Sequence, residues 1–312
     1  KELNLWKNLL KEITKKSVKV TSFYFKKIHD INSELELITN SKNNNLEKAF
    51  KLFEYSKGKG VIIFAHLARA SFISMTLLKS LVEIKVITEN ELQSFLDTIS
   101  TISSDFLKDA GNCHDGELTF RAFTEKYGHL RPGTYDINSP CYRSNPRKFL
   151  RPIVDSISKK NSNNIKDLKN LEVWNKAKAK IGKEFKKHCF QLNIDEIENF
   201  FRFAIEGREL SKFYFTKSLS LGLEFLKTWG ETKDITTYQL SNLGLSQLKK
   251  IKNKFKNNDE IKKFIEKNNK KIIKENQIIN QLELPSLITS IRDLYFFEYP
   301  RVLPNFVGNK II

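Results

Sequence analysis

The sequence predicts a mainly α protein: an irregular multi-helix domain with a long ordered loop rich in Pro and Arg and an extended C-terminal docking segment. Apolar residues recur at intervals of three and four over most of the chain, which is the spacing of one face of a helix. Strand-like runs do not alternate with helical runs and no stretch repeats, so neither an α/β fold nor a solenoid is indicated. The 312 residues are 40% hydrophobic and include 24 Phe, enough apolar material for a sizeable core.

The N-terminal third favours long helices separated by recognisable turns. An apolar repeat opens the chain, and SKNNN at 41–45 interrupts it with a turn. The repeat consists of Leu3, Trp6, Leu10 and Ile13. A Gly pair then precedes an apolar helix predicted over about 61–84. Thr88 and Glu91 have the spacing of a capping box, so another helix is predicted from there to about Ala110.

The segment 127–152 differs from its neighbours because it holds four of the seven prolines and two glycines. Proline cannot continue an α-helix, so this segment is predicted to be irregular. Aromatic and Arg residues alternate with the turn formers, which favours an ordered loop. In an architectural interpretation of the loop, Gly128 and Gly133 adopt positive φ and Asp136 accepts hydrogen bonds within a turn.

The C-terminal half predicts mostly Lys-rich helices up to about residue 282. The first two span about 164–190 and 195–229, and two more follow. The tail beyond them is punctuated by Pro and is β-prone. We therefore expect one helical domain over 1–282 and an extended linker over 283–312.

Composition limits the classes of partner. The formal net charge is +18, but the excess is mostly Lys scattered among Asn and Ile, as on solvated helix faces. A nucleic-acid interface would gather Arg and exposed aromatic residues in one stripe, so nucleic acid is not the expected partner. Cys113, Cys141 and Cys189 lack zinc-site spacing, so no metal is predicted, and they fit a reducing cytoplasm. No uninterrupted apolar run reaches the ~20 residues that span a bilayer, so we expect a cytoplasmic protein without a membrane partner.

Two cations interrupt an apolar helix in the stretch FAIEGRELSKFYFTKSLS. Arg208 and Lys212 lie one turn apart and share a helix face with Phe201 and Phe215. A buried charge needs compensation, either from an internal carboxylate or from an anionic ligand, and both possibilities stay open. The internal candidates are Glu206, Glu209 and Asp105.

A second helix repeats this pattern, because His66 and Arg69 share a face with Ile73 and Leu77. A single His on an apolar face is more often a core residue than a ligand-binding one. Two helices that both carry polar groups on apolar faces favour a lined pocket, so His66 and Arg69 are candidate substrate-binding residues.

The loop adds His129, Arg131, Asp136 and Arg143 as candidate substrate-binding residues. Arg suits bidentate binding of phosphate or carboxylate better than Lys does. The other interpretation is architectural, with these residues holding the loop in place. The chain has no GxxxxGK[ST], GxGxxG, HExxH or GxSxG motif, so no nucleotide site is recognisable in it.

Four segments occur in an order that resembles the middle helical region of phosphoenolpyruvate synthase-like proteins, the group that includes rifampicin phosphotransferase and other relatives of pyruvate phosphate dikinase. They are FAHLARASFISMTLLKSLV, EKYGHLRPGTYDINSPCY, IEGRELSKFYFTKSLS and LPSLITSIRDLYFFEYPRVLPNFVGNK. The resemblance covers most of the chain from about residue 60 and weakens in the Lys-rich helices. The loop has GHLRPGTYD where the rifampicin-type pattern is closer to GHRGPGE-D, so the acceptor is not identified.

The resemblance implies the acceptor-binding domain of an ATP-dependent phosphotransferase. In that family an ATP-grasp domain phosphorylates a His on a swivelling domain, which carries the phosphoryl group to a small-molecule acceptor such as pyruvate. Those two domains, with ATP and Mg, are implied for the full-length protein, and this chain is expected to bind no cofactor itself. By resemblance, Arg208 and Lys212 match the Arg and Lys of the RExxK motif that meet the phosphoryl group. The alternative is a basic helical module that binds RNA or an acidic protein partner without catalysis.

Overall fold

The computed structural model describes residues 2–157, 164–188, 192–255, 257–279, 285 and 287–295, and these residues form helices, turns and loops without a strand. The mainly α class is therefore confirmed. The chain divides into two compact units, residues 1–229 and 230–312. The sequence had placed its only boundary at 282, whereas the division falls near the end of the longest C-terminal helix, where GETKD interrupts the apolar repeat.

The first unit contains ten α-helices among its described residues. They are α1 (Glu2–Thr39), α2 (Asn45–Tyr55), α3 (Val61–Glu83), α4 (Glu89–Asp97), α5 (Ile102–His114), α6 (Phe120–Tyr127), α7 (Pro146–Phe149), α8 (Arg151–Ser156), α9 (Asn164–Lys187) and α10 (Ile194–Glu231). A π-helical turn, Ser56–Gly60, joins α2 to α3, so the two run as one continuous helical stretch. The last helix, α10, ends two residues inside the second unit.

The second unit is smaller and also helical where it is described. It contains α11 (Thr237–Ser241), α12 (Leu245–Lys254), α13 (Asn258–Ile279) and a 3-10 turn, Ile291–Tyr295. Of the predicted docking segment 283–312, the structure describes only 285 and 287–295. Within it, Asp293 of the 3-10 turn accepts hydrogen bonds from the backbone N–H groups of Thr289 and Ser290, just before the turn. This part is therefore not wholly extended, and the remainder of the segment lies outside the described residues.

Helix starts were easier to predict than helix ends. The capping box at Thr88 is confirmed: its hydroxyl accepts from the Glu91 N–H, and the Glu91 carboxylate accepts from the Thr88 N–H. The helix predicted to reach Ala110 is in fact two, because α4 ends at Asp97 and a second capping box at Thr101 starts α5. Helix α6 was not predicted.

The loop prediction was wrong in one respect, because two prolines start short helices within it. Pro146 and Pro152 occupy the first turns of α7 and α8, where a missing N–H leaves no hydrogen bond unmade. The expected positive φ at the two loop glycines is also wrong, since Gly116 is the positive-φ glycine of the described residues. Gly128 is needed for close approach instead: a Cβ there would lie 3.0 Å from the Arg143 Cβ.

Helix α10 contributes to three clusters of buried side chains. In the first, Phe201 packs with Phe95 of α4 and Trp174 of α9, whose rings are stacked 4.1 Å apart. In the second, residues of α1, α2 and α3 pack against Leu210 and Tyr214 of α10. In the third, Phe213 packs against α5, α6 and α8. A single helix that organises the first unit also positions the side chains considered below.

The π-helical turn before α3 brings Gly60 against α10. A Cβ on Gly60 would lie 2.7 Å from the Phe215 Cβ, whereas a Cβ on Gly58 would meet nothing within 4 Å. We expect Gly60→Ala to lower the free energy of unfolding by ~1–3 kcal/mol, because the added methyl forces α3 and α10 apart. Gly58→Ala, in the same turn, is the matched control and should be neutral or stabilising by up to ~1 kcal/mol. Urea denaturation of both variants checks the difference, and equal stabilities would contradict this packing.

One stretch, Asn45–Glu83, passes the length and composition criteria for a membrane span. Its best 18-residue window has a mean hydropathy of 1.8, and 33% of that window is buried. Core helices of soluble proteins meet the same criteria, so this indication is weak. The expected absence of a membrane partner stays a prediction.

Candidate functional site

The two cations of the RExxK motif lie at the edge of the buried face of α10, which corrects the expectation that they are buried within it. Lys212 is exposed, and the Arg208 side chain is 43% exposed. The Arg208 Nε lies 3.2 Å from a Glu209 carboxylate oxygen, and its guanidinium sits over the Phe72 ring at 5.7 Å. The internal carboxylate considered for Arg208 is therefore present, although this pair is too exposed to contribute much stability. The buried face centres instead on the small residues Ala204, Gly207, Ser211 and Ser218.

His66 and Arg69, the polar candidate residues of α3, both have contacts within the protein. The His66 ring stacks on Tyr24 of α1 with centroids 4.1 Å apart, and partial burial together with the nearby Arg69 charge lowers its pKa. Arg69 is exposed, and its Nε donates to the Ala65 carbonyl at 3.3 Å. The structure thus favours a packing role for His66, and no described hydrogen bond, ion pair or ring contact joins these two residues to Arg208 or Lys212.

Arg131 is a buried structural residue that ties the loop to α10. Its side chain is 2% exposed and pairs with the Glu224 carboxylate at 2.7 Å. The guanidinium also donates to the Ser220 hydroxyl and to the carbonyls of Asp136 and Ser139. With Nε, Nη1 and Nη2 all engaged inside the protein, Arg131 has little donor capacity for a ligand. The internal-pair interpretation therefore describes Arg131 better than substrate binding does.

Asp136 has the turn role that the sequence offered as its architectural interpretation. The side chain is exposed, and its Oδ1 accepts from the backbone and side-chain nitrogens of Asn138 at 2.9 and 3.1 Å. Such an Asx turn stabilises the tip of the loop. The loop packs against the 213–224 part of α10 rather than against the part that bears Arg208.

His129 is the one predicted loop residue that is buried with unused hydrogen-bonding capacity. The residue is 3% exposed, its ring packs edge-on against Phe213 at 4.5 Å, and neither ring nitrogen has a hydrogen-bond partner. Burial and the neighbouring charges of Lys217 and Arg143 lower its pKa to about 3. The carbonyls of Lys126 and Phe213 oppose this shift from nearby, but neither meets the geometry of a hydrogen bond. His129 is therefore a neutral imidazole at physiological pH.

Lys217 was not predicted, and it lies on α10 beside this His. Its ammonium donates to the Asn32 side-chain oxygen of α1 at 2.6 Å, and burial together with the Arg143 charge lowers its pKa. Asn32 in turn donates to Glu36 at 3.2 Å, so the nearest carboxylate reaches Lys217 only through an amide. In the part of the chain that the structure describes, Lys217 forms no ion pair.

Arg143 completes the group at the exposed side of the loop. The Tyr142 N–H donates to the Leu130 carbonyl and the Arg143 N–H donates to the Gly128 carbonyl. These two hydrogen bonds join the end of the loop to its beginning. The Arg143 guanidinium donates to the Glu125 carbonyl at 3.1 Å and, among the described residues, has no carboxylate partner. We refer to His129, Arg143 and Lys217 as the basic cluster.

The basic cluster has the properties of an anion site. Burial and the Arg143 charge lower the pKa of Lys217, and the carboxylate that opposes this shift, Glu36, is linked to Lys217 only through the Asn32 amide. A phosphate or carboxylate would remove this repulsion and would accept charge-assisted hydrogen bonds from both. Among the described residues, no three His, Cys, Asp or Glu side chains are grouped as a metal site would require.

Two of the eight predicted site residues thus meet in one place, and the others do not join them. His129 and Arg143 lie in the basic cluster, whereas His66, Arg69, Arg208 and Lys212 lie on α3 and an earlier part of α10. The sequence did hold a signal for Lys217, which shares a flank of α10 with Phe213 and Ser220 at 100° per residue. That flank is buried only because the distant loop covers it.

Comparison with known proteins adds no family assignment. No protein-family model, curated protein or solved structure matches the chain. The arrangement of the basic cluster therefore has to be judged on its own geometry.

Proposed function

We propose that this chain is the acceptor-binding helical domain of an ATP-dependent phosphotransferase and that the basic cluster holds the anionic group of its small-molecule ligand. The observation that carries the proposal is the partly buried Lys217 without an ion pair, set beside Arg143 and the unpartnered imidazole of His129. Burying part of a cation without a counter-ion costs free energy. An anionic ligand recovers that cost, so such an arrangement is typical of binding sites rather than of stabilising ion pairs.

Phosphoryl transfer suits a helical domain of this kind. The reaction needs cations that neutralise phosphoryl oxygens and hold donor and acceptor in line, and it needs little covalent participation by the protein. In the basic cluster Lys217 and Arg143 supply the positive charge, and neutral His129 offers one hydrogen bond without adding a third charge. Arg208 and Lys212, exposed on the same helix, keep the role that the resemblance implies, namely contact with the arriving phosphoryl group.

ATP and Mg belong to the full-length enzyme in this proposal. The resemblance implies an ATP-grasp domain and a phosphohistidine domain, both of which would work with this domain in the same protein. The chain carries no recognisable nucleotide-binding motif. ATP hydrolysis by the purified 312-residue chain would therefore contradict the assignment of ATP binding to a separate domain.

Direct binding tests the proposal on the chain as it stands. We expect inorganic phosphate and phosphoenolpyruvate to bind saturably at one site, with dissociation constants of roughly 10 μM to 1 mM, in the usual range for enzyme substrates. Titration calorimetry at low ionic strength measures this, and added salt should weaken the binding because both ligands are anions. Absence of saturable binding by either compound would contradict the proposal.

A further inference from the structure

The N-terminal half of α1 carries an apolar face that nothing in the described structure covers. Six large apolar side chains on it are between 45% and 70% exposed. They are Leu3, Leu5, Trp6, Leu9, Leu10 and Ile13. At 100° per residue they fall within an arc of about 160°. No other residue between Leu3 and Ile13 falls within this arc, so it is a contiguous apolar face rather than a scatter of single exposed residues. Glu2 and Lys16 lie at the same angles, just before and just after this stretch.

In the second half of α1, the same face is buried against neighbouring helices. Ile28, Ile31 and Leu35 lie at the same angles around α1, and each is at most 1% exposed. They pack with Leu52 and Leu67 of α2 and α3 in the second core cluster. One side of a continuous 38-residue helix is therefore buried in its second half and open in its first.

The opposite side of this half-helix is basic. Between residues 2 and 19 there are five lysines and two glutamates. Lys7, Lys11, Lys15 and Lys19 follow one another at intervals of four, which places them along the side away from the apolar arc. Lys15 is partly neutralised by Glu12 at 3.1 Å, whereas Lys7 and Lys19 are exposed.

We propose that this half of α1 docks in the plane of an anionic lipid surface. A broad apolar arc with Trp, Leu and Ile, flanked by Lys, matches the physical requirements of an interfacial helix. A second copy of the chain would bring together two basic helices and two net charges of +18, which repel each other. An arc of about 160° is also wider than the seam along which two helices pair. The proposal revises the expected absence of a membrane partner, which considered only segments that span a bilayer.

The three tryptophans make the proposal measurable without a label. Trp6 is 62% exposed, whereas Trp174 and Trp229 are buried. Insertion of the apolar face should therefore shift the emission of Trp6 alone to shorter wavelength. We expect this shift with vesicles of phosphatidylglycerol in phosphatidylcholine but not with phosphatidylcholine alone, and we expect added salt to reduce it.

Matched variants separate the apolar and the charged contributions. Leu10→Glu should weaken vesicle binding at least tenfold, whereas Leu37→Glu, at an exposed leucine of the same helix outside the arc, should have little effect. The double change Lys7→Gln and Lys11→Gln should weaken binding by about fivefold for each lysine removed. Its control is the double change Lys249→Gln and Lys250→Gln, two exposed lysines of α12. Circular dichroism confirms that each variant is folded.

Five results would overturn the proposal. The first three are no binding to anionic vesicles, equal binding to neutral vesicles, and binding that Leu10→Glu leaves unchanged. The fourth, a lipid-free dimer that buries Trp6, detected by sedimentation together with the emission shift, would assign the face to a second copy of the chain. Tighter binding to polyglutamate than to vesicles would likewise assign it to an acidic protein.

Discussion

Replacing Lys217 with Met is expected to weaken phosphate binding about a hundredfold while leaving the fold intact. A charge-assisted hydrogen bond to a phosphate contributes about 1.5–3 kcal/mol, and 2.7 kcal/mol corresponds to two orders of magnitude in affinity. Lys217 is the most enclosed cation of the basic cluster, so its bond to a ligand is screened less by water than a surface contact. Titration calorimetry with phosphate, on the variant and the unmodified chain, measures the change.

The difference in stability between the Lys217→Met variant and the unmodified chain is expected to depend on pH. The pKa of Lys217 is lower in the folded protein than its ordinary value of ~10.4, so the unfolded chain holds this proton more tightly. The charged ammonium therefore destabilises the fold at neutral pH, and this penalty fades as the pH rises through the folded pKa toward the unfolded one. Removing the charge should stabilise the variant at pH 7, and losing the hydrogen bond to Asn32 should offset part of this gain. The stability of the variant relative to the unmodified chain should therefore fall as the pH becomes alkaline. Urea denaturation at both pH values checks the direction.

Lys79→Met is the control for Lys217→Met. It removes an exposed lysine of α3 that belongs neither to the RExxK motif nor to the basic cluster. Phosphate affinity should change by less than about threefold in this control, as for a screened surface charge. Lys212→Met distinguishes the two locations: if it abolished phosphate binding and Lys217→Met did not, the anion site would lie at the RExxK motif instead.

Replacing Arg131 with Met is expected to lower the free energy of unfolding of the first unit by about 3 kcal/mol. The change leaves the Ser220 hydroxyl and the carbonyls of Asp136 and Ser139 without their donor. Removing one member of a buried hydrogen-bonded pair typically costs about 3–5 kcal/mol. We expect the lower end, because Glu224 is 38% exposed in its side chain and water can replace part of its contact.

The consequences of Arg131→Met should extend to binding. The loop that Arg131 anchors also carries His129 and Arg143, so loosening it should reduce phosphate affinity together with stability. Arg121→Met is the control, since Arg121 is 89% exposed and pairs with Glu125 on the surface of α6. That variant should change stability by less than ~0.5 kcal/mol. Equal urea midpoints for the two variants would contradict the structural role of Arg131.

Parts of this fold could be predicted from the sequence because they depend on local interactions. The capping box at Thr88 and the 3.6-residue apolar period of α3 and α10 depend on residues within one or two turns of each other, so the sequence displays them directly. The end of α4 at Asp97 was missed because the second capping box uses Ser104 in place of the usual Glu or Gln. The short helices at Pro146 and Pro152 were missed because proline was treated only as a helix breaker.

The candidate site depended on contacts that no local pattern contains. A helix wheel predicts one buried face for α10, but the loop around Arg131 covers a second one, and only this covering turns Lys217 from a surface lysine into an enclosed cation. The same contact gives Arg131 its internal partners, ~90 residues away along the chain, and so removes it from the substrate-binding residues. Residue type and period therefore identified helices, caps and a long loop. Long-range packing decided which charges are buried, which are paired and which are left for a ligand. The reason is that the free-energy cost of burying a charge depends on the groups that cover it and not on its neighbours in sequence.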